Sequence, residues 1–311
     1  MSDTRATSVG GSFRDRMGRV YAVDGRIVRG LKQHALDDFI ALEQTSFYAR
    51  HQEAGTLVAT RVLDGAEVPL GEEERGAWAG FLEHERVPVI SYPYEWTASM
   101  LQSAALLQLD LLDHALAEDF ILKDATPYNI QFVNGQPVFI DLGSFEPLSP
   151  GQPWAGYRQF CELFLIPLLL QCYKGVDFQP LLRARIDGVD VQQASRLFGF
   201  RDRFRKGVAS HVWLQSKLDQ RFSGTERTVK SDLKAAGFNK ELILANVRKL
   251  KKLVGGLSWA HGRTEWGNYA ETHNYTEADH DQKADFVDRS LAGKRRGLLW
   301  DMGSNQGQFS R

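Results

Sequence analysis

The sequence predicts an α+β chain built in two unequal parts. Three observations carry that expectation. Short β-type runs crowd the first hundred residues, two of them flanking Asp24-Gly25, a dipeptide that favours a tight hairpin. A long helix follows, with Leu101, Ala105, Leu109, Leu112 and Leu116 recurring at helical spacing as one apolar stripe. Near the end, GLLWDM runs as an apolar strand into the glycine-spaced loop GSNQG, the opening of a βα unit.

Taken in order, residues 1–11 read as a polar, disordered head. GRVYAVDGRIVRGL gives a hairpin, residues 35–54 a helix, and TLVATRVL a strand. PLGEEERGAWAGFLEHERVP is charged and reads as mostly helical, and VPVISYPYEW as strand then loop. After the leucine-striped helix, ILKDATPYNIQFVNGQPVFIDLGSFEPL reads as loop, strand, Asn134-Gly135 turn, strand and loop. The region from 154 to about 222 is mainly helical, with FCELFLIPLLLQCY as buried core. Residues 223–240 shift to polar composition and read as a link. Beyond it lie a helix with Ile243, Val247, Leu250 and Val254 on one face and a second helix at about 278–292.

The bulk numbers set bounds. The chain has 311 residues, room for two domains. Its 38 basic and 39 acidic residues leave a net charge of −1, which argues against nucleic acid or a membrane surface as partner. Two cysteines, Cys161 and Cys172, lack metal-ligand spacing and suit buried thiols in a reducing compartment. No apolar run reaches the ~18 residues of a membrane span, so a cytoplasmic protein is expected.

Two constellations carry chemistry. In the first, Asp124 and Asn129 lie five apart on a loop leaving a long helix, and Asp141 ends the second strand of the following hairpin. Phosphoryl transfer needs these types: one carboxylate to orient or deprotonate a hydroxyl, an Asn and a second carboxylate to hold Mg²⁺ against ATP phosphates. The D-x-x-x-x-N then D-x-G pattern resembles the catalytic and metal-binding loops of the protein-kinase-like fold, in its aminoglycoside-phosphotransferase-like branch. The resemblance covers roughly 12–222, with a small lobe over about 12–95 and a large lobe over about 96–222. It implies Asp124 as the catalytic residue, Asn129 and Asp141 as metal ligands, and ATP with Mg²⁺ as cofactors. Leu122 stands where that family has a histidine, and SFRDRMGRVY lacks its glycine-rich loop. No strand lysine is evident; Arg29 with Glu43 is the nearest substitute.

In the second, Asp301, Gly303, Asn305 and Gly307 follow the apolar strand directly. Glycines there let a ligand approach the backbone closely. The pattern resembles motif I of class I S-adenosylmethionine-dependent methyltransferases, a Rossmann-like α/β fold. Trp266, Tyr269, Tyr275 and Lys283 upstream resemble a segment that folds over the cofactor in some members. Together the two constellations resemble a bacterial family of two-part class I methyltransferases related to host-specific nodulation proteins. That resemblance implies a linker and helical segment over 223–292, and at 293–311 the start of a methyltransferase domain cut off after its first strand. The expected function is that of an S-adenosylmethionine-dependent methyltransferase family protein whose catalytic half is incomplete in this chain. An ATP-dependent small-molecule phosphotransferase and a pseudokinase-like scaffold stay open as alternatives. A small-molecule or glycan-type substrate is the expected partner, and the methyl acceptor and oligomeric state are not legible.

Overall fold

The computed structural model describes residues 7–8, 16–64, 67–217, 240–259, 276–293, 297–304, 307 and 309. They divide into two units, Met1–Trp259 and Ala260–Arg311. Helix and strand are mixed throughout the first unit, as an α+β chain requires.

The first unit opens with a five-stranded antiparallel sheet of order β1-β2-β3-β5-β4. Its strands are β1 (Thr7–Ser8), β2 (Gly18–Val23), β3 (Arg26–Leu31), β4 (Thr60–Leu63) and β5 (Gly80–His84). Asp24 and Gly25 take the positive φ values, 50° and 80°, that a two-residue hairpin turn demands. Strand alternation gives the sheet two different faces. Tyr21, Val23, Val28, Leu63 and Phe81 form a small apolar cluster on one side. Val20, Ile27, Arg29 and His84 line a cleft on the other.

Three expectations change here. Thr7–Ser8 pair with Ala22 and Tyr21, so part of the segment expected as a disordered head is a strand. The predicted helix over 35–54 is two, α1 (Gln33–Glu43) and α2 (Ser46–Glu53), because Thr45 stops one and caps the next through a bond from the Tyr48 amide. PLGEEERGAWAGFLEHERVP holds only the short α3 (Glu72–Gly76) and then β5, while 87–92 forms no strand. The glutamates favour a helix start, but β3 offers Gly80–His84 an antiparallel partner on one side and β4 offers Phe81–His84 one on the other.

Helix α4 (Ala98–Ala117) begins at Thr97, whose side chain accepts from the Met100 amide. All five residues of its leucine–alanine stripe are fully buried. Next come β6 (Phe120–Leu122) and the hairpin of β7 (Ile130–Val133) with β8 (Gln136–Phe139). Strand β9 (Phe145–Pro147) returns to pair with β6. Asn134 and Gly135 sit at φ 51° and 76°, the turn the sequence predicts. Helix α5 (Tyr157–Phe160) runs through a wide π turn, Cys161–Leu165, into α6 (Ile166–Lys174). This is the buried segment expected from FCELFLIPLLLQCY, and burial pushes the Cys161 thiol up to about 12. Helices α7 (Gln179–Ala184) and α8 (Val191–Leu197) follow.

Helix α9 (Lys240–Gly255) corrects the domain boundary. Sequence composition puts it in the linking segment, yet Ile243, Val247, Leu250 and Val254 join the main core of the first unit. Gln102 on α4 donates to the carbonyls of Val254 and Leu257, and Lys251 pairs with Asp110 and Asp113.

In the second unit, α10 (Glu277–Leu291) starts with a capping box between Thr276 and Asp279 and buries none of its residues. The strand expected at GLLWDM is not there: 297–303 contain no strand. Leu298, Leu299, Trp300 and Met302 are exposed. A strand exists only through hydrogen bonds to a neighbour, and the described residues of this unit supply none. No helix among the described residues is long and apolar enough to cross a membrane.

Candidate functional site

A cleft of about 1710 Å³ opens in the first unit between the Arg29 face of the sheet and the loops around α4 and the hairpin. Asp124, Asn129 and Asp141 all line it. The hairpin does this work. Ile130 pairs with Phe139, and the Ile140 amide donates to the Asn129 carbonyl at 2.8 Å, so the ends of β7 and β8 stay side by side. Asn129 Nδ2 then reaches Asp141 Oδ2 at 3.3 Å and Ser144 Oγ at 3.2 Å. Of the three residues the spacing selects, Asn129 and Asp141 are in contact, and Asp124 lines the same cleft.

Backbone contacts fix the loop that bears Asp124. The Lys123 amide donates to the Ser144 carbonyl at 2.9 Å. Trp154 Nε1 donates to the Leu122 carbonyl, and Gln108 Nε2 to the Asp124 carbonyl, each at 3.0 Å. Gln159 Oε1 accepts from the Ala125 amide at 2.7 Å. Gln108 and Ser144 are fully buried. None of these supports carries a motif; a buried glutamine in an apolar helix stripe is the one sequence signal for them.

The two carboxyls are tuned apart. Burial, and then the negative charge of Asp141, raise the Asp124 carboxyl above its ordinary range, against the pull of Lys123. Burial would push Asp141 the same way. There the Arg29 charge, with hydrogen bonds from Arg29 and Ser144, outweighs it and holds the carboxyl below its ordinary range.

Arg29 is where the sequence reading and the structure part. It does not pair with Glu43, which is exposed at the end of α1. Its Nη1 donates to Asp141 Oδ1 at 2.8 Å, across 112 residues of chain. Ser144 Oγ donates to Asp141 Oδ2 at 2.7 Å. A Mg²⁺ at Asn129 and Asp141 would find the right donor types, an amide oxygen and a carboxylate. It would also find that carboxylate neutralised by a guanidinium and bonded on both oxygens. The arrangement does not fit a divalent cation, and the described residues hold no cluster of three His, Cys, Asp or Glu side chains suited to a metal.

Of the second constellation, Trp266, Tyr269, Tyr275 and Asn305 lie outside the described residues. Asp301 is exposed, and Gly303 and Gly307 adopt φ of 81° and 70°, conformations that suit glycine. Lys283 stands 5.0 Å from the ring of Phe309, which stacks on His280. These described residues do not enclose a cofactor.

Fold and site thus define an α+β protein with a carboxylate-bearing cleft in its first unit. No family model matches the chain. The chain is similar to the nodulation protein NoeA of Rhizobium meliloti (strain 1021), with 33% identity across 98% of this chain and 63% of that protein. It therefore spans less than two thirds of the length of this relative.

Proposed function

We propose that the chain belongs to a two-part, nodulation-related protein of the S-adenosylmethionine-dependent methyltransferase type, in which the first unit is a protein-kinase-like module that binds a nucleotide. The observation that carries the module reading is the meeting of Asp124, Asn129 and Asp141 at one cleft. A strand-built first portion and a helical remainder around that cleft support the two-lobed architecture. Similarity to a nodulation protein supports the grouping. Millimolar ATP is expected to raise the melting temperature of the chain. A ligand bound only by the folded state at about ten times its Kd adds about 1.4 kcal/mol, or roughly 3–6 °C. No shift at that concentration would remove the nucleotide from the reading.

One observation favours a second reading, phosphotransfer to a hydroxyl of a small molecule or glycan. Asp124 is the one carboxyl of the pair held above its ordinary range, the direction that makes a carboxylate a better proton acceptor. Loss of ATP consumption in Asp124→Asn, with ATP binding kept, would establish it; no consumption by the parent chain rules it out.

The methyltransferase half rests on the D-x-G-x-N-x-G pattern at 301–307. Because Trp300 and Met302 are 61% and 82% exposed, this segment offers no buried wall for a cofactor. The 311-residue chain is expected to bind S-adenosylmethionine weakly, at best millimolar. Micromolar affinity by calorimetry would mean that the loop builds a pocket on its own.

A further inference from the structure

A net charge of −1 describes the whole chain, and one turn departs from it. Over 196–206, RLFGFRDRFRK, five Arg and Lys side chains stand against one acid, Asp202. The turn Phe200–Phe204 lies within this run, and its two phenylalanines are 69% and 83% exposed. Their rings pack edge to face, with centroids 6.2 Å apart. Single exposed apolar residues need no explanation, but two rings that meet in water form a shared apolar tip. The backbone holds them there. Phe198 and Val208 are buried on either side of the turn. Asp202, itself buried, accepts from the Gly199 amide at 2.8 Å and pairs with Lys174 at 3.1 Å and Arg205 at 3.2 Å. The one acid is thus used up in fixing the turn. Arg196, Arg201 and Lys206 are exposed and carry no ion pair among the described residues.

We propose that this turn docks the first unit on an anionic membrane surface, with Phe200 and Phe204 at the boundary of headgroups and acyl chains and Arg196, Arg201 and Lys206 against lipid phosphates. Charge complementarity selects the occupant. Peripheral binding of this kind needs apolar side chains beside cations, and it strengthens with the apolar area buried and with the negative charge of the lipid. The contact is with one leaflet and needs no spanning helix. A nucleic acid would need cations spread along a groove that tracks its backbone. Here they crowd one turn, and its tip carries two rings with no hydrogen-bonding group to read a base. Because Asp202 fixes the turn beforehand, docking costs little ordering of the chain.

Co-sedimentation of the 311-residue chain with vesicles tests this, using phosphatidylcholine alone and phosphatidylcholine with about 30% phosphatidylglycerol. The parent is expected to partition at least about tenfold more strongly onto the anionic vesicles, and to lose most of that gain in about 0.5 M salt, where screening is short-ranged. Phe200→Ser combined with Phe204→Ser should weaken binding to anionic vesicles at least about tenfold and leave the melting temperature within about 2 °C, because both rings are exposed. Arg201→Gln and Lys206→Gln should weaken it roughly fivefold for each charge removed. A single-stranded oligonucleotide serves as the competing probe. Loss of vesicle binding in both sets of variants, at unchanged melting temperature, establishes the proposal. Vesicle binding that survives the loss of both rings overturns it, since charge alone would then be at work. Equal binding to neutral vesicles overturns it too, and so does no binding to either. Oligonucleotide binding that needs Arg201 and Lys206 but neither ring, without vesicle binding, assigns the turn to nucleic acid instead.

Discussion

The first unit should lose about 4 kcal/mol of unfolding free energy between pH 7.5 and pH 5, from two histidines alone. His51 and His84 are each 8% exposed. Burial is the main cause that lowers each to about 4, with His114 acting further on His51 and Arg29 on His84. An unfolded histidine titrates near 6.5. Both groups are therefore neutral in the folded chain over a range where the unfolded chain takes up protons, so stability falls as pH drops from about 6.5 towards 4. At pH 5 each contributes roughly 2 kcal/mol of destabilisation, a large share of the 5–15 kcal/mol typical of a domain. His211 is lowered to about 4 by burial as well and acts in the same direction. The lowered carboxyls, Asp141 among them, do not confuse the reading. Their stabilisation is lost only as pH falls through values below the ordinary carboxylate range. Urea unfolding at half-unit steps is the measurement, and His84→Leu should remove about half of the slope. The raised carboxyls of Asp124 and Glu162 act against this slope. The comparison with His84→Leu therefore decides, and an identical profile in parent and variant would mean that water reaches that ring.

The same residues show what a sequence discloses and what it hides. Asn129 and Asp141 are legible together because a two-residue turn fixes the hairpin register, and the register fixes which side chains return to one place; Asp124 is placed by contacts that carry no motif. Asn134 and Gly135 announce that turn by type alone. Arg29 was visible as a cation on a strand, but its partner lies 112 residues away, and nothing local distinguishes Asp141 from Glu43 as the acceptor. Strand β5 was hidden for another reason. The helix-favouring glutamates Glu72, Glu73 and Glu74 lie just before it in the chain, whereas the two strands that claim it are remote in sequence. Tertiary pairing overrode propensity there. At 298–302 the reverse holds: the apolar pattern writes a strand, and without a described neighbour no strand forms.

Helix α9 poses the same problem in its sharpest form, and its test has the second large effect. The apolar face was plain in the sequence, while the polar run before it argued for a link between units. If α9 were a link, truncating its face would cost little. In the structure Val247 and Leu250 are fully buried and belong to the core that includes α4. Leu250→Ala is accordingly expected to cost about 2–5 kcal/mol, the transfer of the lost methyl groups plus the cavity they leave. The neighbouring Lys251→Ala removes contacts to Asp110 and Asp113 from a side chain about a third exposed. It should cost no more than about 1 kcal/mol, because solvent screens such pairs. The contrast between adjacent positions is the diagnostic, since a helix held only by charge would reverse it. Chemical denaturation should show one cooperative transition for the parent and for both variants, with the midpoint moved strongly by Leu250→Ala alone. If Leu250→Ala leaves that midpoint unchanged, α9 is a tether lying on the domain, and the boundary returns to the polar stretch before it.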